Sequence, residues 1–363
     1  MSHIYNVAIV GLGIGRSHLV EGYLPNSDKF NVVAICDINE ERLSAFAAEF
    51  NIPRRTTAFA DLLAMDDIDI IDVCTPPMVH RSQVLEALAA GKHVICEKPL
   101  VGSLAQADEV IAAERHAKGR LMPVFQYRYG AGIQQVKAII DSGIAGKPYV
   151  ATAETLWTRG PAYYAVPWRG KWATELGGVL MTHAIHIHDI VTYLMGDVAR
   201  LFGRVATRVN DIEVEDCVAA SCELASGALA SFTATLGSKE EISRIRLAFE
   251  NVTFESDHAP YQPGTEPWKI IPGSPEVDAQ IQSLLTGWQH VPPRYNGQFI
   301  RLYEALESGG PLPVTSADSR RALELVTAFY HSSETHEDVA LPLGPEHPKY
   351  LSWVPEAFRQ AAE

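Results

Sequence analysis

The chain has 363 residues, more than one ordinary domain uses, and its 47% hydrophobic and 20% charged residues suit a large buried core and exclude a disordered chain. A formal charge of -14 offers no field to phosphate backbones or anionic lipid and argues against nucleic-acid binding. The opening MSHIYNVAIVGLG lacks a basic n-region, a long apolar core and a cleavage site, and no later apolar run is long enough to span a membrane, so a cytoplasmic protein is expected.

In chain order, short β-branched runs alternate with helix-patterned stretches through the first third. YNVAIVG precedes a helical segment from about Ser17, NVVAICD precedes NEERLSAFAAEF, and IDIIDVCTP precedes HRSQVLEALAAG. KHVICEKP then precedes SLAQADEVIAAERHAKG, and RLMPVFQY follows. Continuous apolar strands separated by helices predict a parallel sheet covered on both faces, the doubly wound Rossmann architecture of an α/β domain, over residues 1–128.

Residues 129–363 read as a second, α+β domain. A helix (GIQQVKAIIDSG) leads into alternating strands, KPYVATAETLW, DCVAASCEL, GALASFTATL and SRIRLAFE, which predict a largely antiparallel open sheet with one face buried. HAPYQPGTEPWKIIPGSPE is rich in Pro and Gly and reads as a loop. The five cysteines form no CxxC pair and read as reduced thiols; Cys36, Cys74 and Cys96 close apolar runs, where a small side chain packs well.

Several stretches carry chemistry. VAIVGLGIGRSH places Gly11, Gly13, Ile14 and Gly15 between a strand and a helix, where glycines let the backbone approach a pyrophosphate at the helix N-terminus. Arg16 stands where GxGxxG would have its third glycine. Asp37 ends the second strand, where a carboxylate accepts both hydroxyls of an adenine ribose and repels a ribose phosphate; this favours NAD over NADP, the alternative being an N-cap of the next helix. Thr75, Pro76 and His80 lie in CTPPMVH, a turn at the ligand-binding edge of the sheet.

VICEKPLVGS puts Glu97, Lys98 and Pro99 at that same edge. A lysine there can hydrogen-bond a substrate hydroxyl and stabilise a developing alkoxide, with Glu97 holding the ammonium; the alternative is a surface ion pair at a turn. ELGGVLMTHAIHIHDIVTYLMG crowds His183, His186, His188 and Asp189 into the first turns of a helix. On a helix His183 and His186 share a face, His188 points elsewhere, and Asp189 can orient the His186 ring. No metal site is expected, since HxxHxHD is not a standard ligand spacing; half-buried structural histidines remain the other reading. LWTRGPAYYAVPWRGKW sets aromatic faces beside donors, as sugar rings require, although a loop pinned on the core has the same composition.

Together these residues resemble the glucose-fructose oxidoreductase and inositol dehydrogenase family (Gfo/Idh/MocA), over nearly the whole chain and most specifically in CTPPMVHRSQVLEALAAGKHVICEKPL. The resemblance implies a Rossmann domain, a second domain whose open sheet joins subunits into a homodimer or homotetramer, and NAD(P)-linked chemistry at a carbinol carbon of a sugar or cyclitol. Carried over, Lys98 matches the lysine on the reacting hydroxyl, His186 the general acid/base, and Asp189 the end of the GxHxxD segment. Thr182 replaces the customary relay aspartate and Ala184 a glycine; His183 is then a candidate to assist.

The expected cofactor set is Gly11, Gly13, Ile14, Gly15, Asp37, Thr75, Pro76, His80, Glu97 and Lys98. Tyr127, Arg128, Trp157, Arg159, Trp168 and Arg169, with His183 and His186, are expected to shape the carbohydrate or polyol site. The rival readings are an NADP-linked reductase, an oxidoreductase that retains its nucleotide, and a non-catalytic dinucleotide sensor that binds a partner protein.

Overall fold

The computed structural model describes residues 3–359. By its internal contacts the chain forms two units: residues 1–125 with Tyr295–Arg320, and Gln126–Arg294 with Arg321–Glu363.

In the first unit, β1 (Tyr5–Val10), β2 (Phe30–Cys36), β3 (Arg54–Thr56), β4 (Ile70–Val73), β5 (His93–Cys96) and β6 (Leu121–Pro123) form a six-stranded sheet in the order β3-β2-β1-β4-β5-β6. All its pairs are parallel. The order reverses between β1 and β4, so the switch point of the doubly wound fold lies at their carboxyl ends, where such sheets bind ligands. The strands read as continuous apolar runs because both faces are covered; every residue of β4 is buried.

The first unit differs from the expected boundary in two ways. Gln126, Tyr127 and Arg128 fold with the second unit, and Tyr295–Arg320 returns to the first. The returning helix, Arg294–Ser308, buries Tyr295, Phe299, Leu302 and Tyr303. Phe299 packs 4.7 Å from the Tyr23 ring, and the Gln298 side chain accepts from Phe125 N at 3.2 Å and donates to Pro123 O at 2.8 Å. This helix fills the face of the sheet beside β1 and β6; no change of composition marks its return in the sequence.

The second unit is built on an eight-stranded mixed sheet. Its strands are β7 (Pro148–Thr158), β8 (Val198–Ala206), β9 (Cys217–Leu224), β10 (Leu229–Thr235), β11 (Gly237–Phe249), β12 (Val252–Glu255), β13 (Lys269–Pro272) and β14 (Val339–Ala340), in the order β13-β12-β11-β7-β10-β9-β8-β14. Every pair is antiparallel except β7 with β10. β10 alternates exposed and buried residues, the pattern of a sheet with one covered face. The Pro/Gly-rich loop is a loop only in part, because Lys269–Pro272 pairs with β12 as β13. Among the described residues no helix is long and apolar enough to cross a membrane. All five cysteines are free.

Candidate active site

The glycine loop joins β1 to a helical segment that starts at Gly15. Gly11 has φ +87°, and a Cβ there would lie 2.6 Å from the Cys74 carbonyl oxygen, so the loop passes β4 as bare backbone. A Cβ on Gly15 would lie 2.7 Å from Ile9 Cγ2 and 3.7 Å from Cys74 Sγ, so Gly15 does the close helix-on-strand packing expected of the third glycine. The loop is one residue shorter than GxGxxG. Arg16 therefore leaves the loop geometry undisturbed and points outward to Glu49 at 2.5 and 2.7 Å. Gly13 has no heavy atom within 4 Å of its Cβ position and Ile14 is 42% exposed, so the backbone here is open to a pyrophosphate.

At the end of β2, Asp37 is buried, and its carboxylate accepts from Leu12 N and Asn39 N, each at 2.9 Å. It thus ties the end of β2 to the glycine loop. It is not the cap of the following helix: Asn39 takes that position, its side chain accepting from Arg42 N at 2.8 Å. The Arg42 guanidinium lies 3.2 Å from Asp37, a contact the local sequence did not signal. The open loop and the strand-end carboxylate fit a dinucleotide.

Thr75 donates to Gln83 at 2.6 Å. Pro76 precedes a short helical turn at Pro77–Val79. The fully buried His80 ring lies between the Thr75 carbonyl at 2.7 Å and the Pro99 carbonyl at 2.8 Å, where the turns after β4 and β5 meet. Burial keeps its pKa below the usual histidine value, against the pull of those carbonyls.

Lys98 follows β5 and is partly exposed, and its bond to Pro99 is cis. The buried Glu97 carboxylate accepts from the Lys98 backbone N–H at 3.0 Å and from the Tyr295 hydroxyl at 3.1 Å, and meets His18 Nε2 at 3.0 Å. His18 in turn meets Asp72 at 2.9 Å. His18, Asp72 and Cys74 are the described residues whose ligand atoms gather closely enough for a metal. The His18 ring spends both nitrogens on carboxylates, which makes the cluster an ion-pair network.

In the second unit the histidine segment opens at Gly177–Gly178. A Cβ on Gly178 would lie 1.7 Å from the Glu215 carbonyl oxygen, which explains that glycine. The fully buried Glu215 carboxylate accepts from Gly178 N and Leu180 N, each at 3.0 Å, and anchors the start of the segment. Burial raises its pKa to about 7, against the lowering by these N–H donors. Sequence reasoning missed Glu215, since the contact crosses 35 to 37 residues.

The three histidines of the segment have three different environments. The buried His186 ring stacks on Tyr127, with centroids 4.3 Å apart and planes at 20°. Asp189 takes the buried Arg128 in a bidentate pair at 2.7 and 2.6 Å. His188 packs between Phe232 at 4.6 Å and Phe329 at 5.3 Å.

Thr182 donates to the Gly178 carbonyl at 2.7 Å and lies 2.6 Å from His183 Nδ1. A hydroxyl has one proton, so its oxygen accepts from His183 Nδ1–H, and Nε2 is left as the acceptor facing the Tyr163 hydroxyl at 3.4 Å. Thr182, which stands in place of the family's customary relay aspartate, thus fixes a tautomer. Tyr163 also receives the Arg169 guanidinium. Burial pushes the Tyr163 pKa up to about 12, against the lowering by Arg169, so the phenol is neutral.

The aromatic-rich stretch gathers around this chain of contacts. The buried Trp157 donates to Ser243 at 3.1 Å and meets the His183 ring edge-on at 5.2 Å. Arg159 pairs with Glu241 at 2.7 Å and lies 5.3 Å from the Trp157 ring. Trp168 is half-buried, with the Arg169 guanidinium 4.3 Å from its ring.

Residues 5–125 match the family described as an oxidoreductase family with an NAD-binding Rossmann fold, and residues 133–255 match the Gfo/Idh/MocA C-terminal domain. The uncharacterized oxidoreductase YrbE of Bacillus subtilis is 31% identical over 56% of this chain, and the chain spans only 57% of that relative. The D-apiose dehydrogenase of Paraburkholderia graminis is 27% identical over 97% of this chain and 94% of its own length. The WlbA dehydrogenase of Bordetella pertussis, crystallised with NADH and UDP-GlcNAcA, is 27% identical with a TM-score of 0.83, covering 95% of this chain and 100% of that one. Both domains carry the family's match in order, and the chain belongs to the Gfo/Idh/MocA oxidoreductase family.

Proposed function

We propose that this chain oxidises a secondary hydroxyl of a sugar, sugar derivative, glycoside or cyclitol, with NAD as hydride acceptor. When bound, the nucleotide supplies the acceptor carbon of its nicotinamide. The chain's own residues do the rest. His186 removes the hydroxyl proton, its ring plane set by stacking on Tyr127. Lys98 stabilises the oxygen as negative charge develops. His183, in the tautomer set by Thr182, presents Nε2 as an acceptor beside Tyr163 and orients a further hydroxyl. Trp157, Trp168 and Arg169 offer the faces and donors that a sugar ring uses.

The observation that carries this reading is Lys98 at the carboxyl end of β5, beside the switch point of a sheet whose glycine loop and Asp37 suit a dinucleotide. A relative named as a D-apiose dehydrogenase, and the WlbA dehydrogenase crystallised with NADH and UDP-GlcNAcA, support it. The test is nicotinamide absorbance with NAD and with NADP across inositols, aldoses, uronates and glycosides. Lys98→Ala and His186→Ala should each lower kcat by about a thousandfold or more. Hydride transfer left intact in a folded double variant overturns the mechanism. Silence with every sugar, alongside tight nucleotide binding, favours the sensor reading.

One contact favours a second cofactor reading: the Arg42 guanidinium beside Asp37 could meet a ribose phosphate. A kcat/KM higher with NADP than with NAD would establish it. The outward face of the eight-stranded sheet, with Leu229 57% exposed, is proposed as the homodimer or homotetramer contact, and a monomer by light scattering overturns that.

A further inference from the structure

Behind Lys98, within the first unit, lies a buried set of titratable groups with no part in the mechanism above. His18 is fully buried at the end of the glycine-loop segment. Its Nδ1 lies 3.1 and 2.9 Å from the two Asp72 oxygens, and its Nε2 lies 3.0 Å from Glu97 Oε1. A carboxylate faces each nitrogen, and only the imidazolium donates to both. The Tyr23 hydroxyl donates to Asp72 at 2.8 Å, and the Tyr295 hydroxyl donates to Glu97 at 3.1 Å. Cys74 Sγ lies 3.4 Å from Nδ1, and the Tyr295 and Phe299 rings close the chamber at 4.4 and 5.5 Å.

Burial opposes a charge on His18, but the neighbouring Asp72 carboxylate and the Cys74 sulfur outweigh it and hold the ring pKa well above its usual value. Water is excluded, so the attraction is little screened. The other Glu97 oxygen accepts from the Lys98 backbone N–H. The network therefore runs from Asp72 in β4, through His18, to the residue that leaves β5.

We propose that His18 is a positioning residue for Lys98: bridging Asp72 and Glu97, it holds the Glu97 carboxylate against the Lys98 backbone N–H and so fixes where the lysine departs from β5. A segment beginning in a nucleotide loop is thereby coupled to the lysine of the catalytic turn. The inference rests on the proposed role of Lys98.

The test uses the full chain as wild type, His18→Gln and Tyr295→Phe. Nitrogen NMR of the wild type at about pH 8 should show both His18 ring nitrogens protonated, where an ordinary histidine is neutral. Hydrogen exchange of the peptide containing Lys98 should rise at least about tenfold in His18→Gln, with peptides from β1 unchanged. With NAD and a sugar from the panel, kcat should fall by about tenfold or more while KM for NAD stays within about twofold, a split that general destabilisation does not produce. Tyr295→Phe keeps the ring and removes one donor to Glu97; should His18→Gln fail to fold, this variant carries the test, with an expected loss of about threefold in kcat.

A neutral His18 ring, an unchanged Lys98 amide, or a stoichiometric metal ion bound by the wild type and lost in His18→Gln overturns the inference. Turnover lost in Lys98→Ala but unchanged in both network variants sinks the positioning role alone. Turnover intact in Lys98→Ala sinks the functional reading first, and the amide exchange still decides whether His18 holds the turn.

Discussion

In the first unit His18 is enclosed between Asp72 and Glu97; in the second, His188 is enclosed between Phe232 and Phe329. Both are almost fully buried. Yet the flanking carboxylate holds the His18 pKa well above the usual value, while burial alone drives that of His188 down to about 3. The fold thus favours the charged form of one ring and the neutral form of the other. Burial sets how much a charge costs, and the partner decides whether the charge exists. The first unit uses His18 to fix a turn, and the second uses His188 as an aromatic filler between Phe232 and Phe329.

Applying one substitution to both sites gives the largest expected contrast. His18→Leu leaves Asp72 and Glu97 facing each other without the intervening cation, which should cost about 3–5 kcal/mol in urea unfolding at neutral pH. A cost no larger than that of His188→Leu would erase the contrast. The pH dependence has a definite sign. The folded pKa of His18 lies above the unfolded value of about 6.5, so its contribution is complete below that pH and is lost as pH rises through the folded value. The wild type should therefore lose stability on the alkaline side, and His18→Leu should lack that component.

Glu215 sharpens the comparison, because it is a buried acid held mainly by backbone N–H groups rather than by a cation. Its folded pKa of about 7 exceeds the ordinary glutamate value of about 4.5, so the folded state binds the proton more tightly. The stability it contributes is complete below about pH 4.5 and is lost as pH rises through about 7, a change of roughly 3 kcal/mol. Glu215→Gln should flatten this part of the stability curve between about pH 5 and 8. An unaltered slope in that variant would show that the N–H donors hold Glu215 ionised, and that backbone dipoles can replace a charged partner.

The same contrast explains what the sequence made legible. Parallel strands covered on both faces give continuous apolar runs, so polar residues at their ends, such as Asp37 and Glu97, announce the ligand edge. The partners of His18 lie 54 and 79 residues away, and Asp72 sits inside an apolar run where it reads as an interruption. Nothing local tells such a residue from a fault in the pattern. Gly15 was legible as a glycine but not in its function, because the loop is one residue shorter than the template. In the second unit His183 was picked out from the histidine cluster and Thr182 by resemblance, whereas the Arg128–Asp189 pair is a product of packing.

The smallest expected effect lies at His188, and its direction discriminates best. Leucine matches the apolar surroundings of Phe232 and Phe329 and has similar bulk, so His188→Leu should cost less than about 1.5 kcal/mol at pH 7. As pH falls the balance changes. The folded pKa of about 3 lies below the unfolded value, so the contribution of His188 is complete above about pH 6.5 and is lost as pH falls toward 3. At pH 5 the unfolded wild type takes up a proton that the folded chain refuses, a loss of about 2 kcal/mol. Leucine has no proton to take up. Urea titrations of wild type and His188→Leu should therefore cross between about pH 7 and 5, with the variant the more stable on the acid side. Curves that stay parallel would mean that His188 finds a partner for its proton inside the fold. The two histidines would then differ in the strength of their partners rather than in having one.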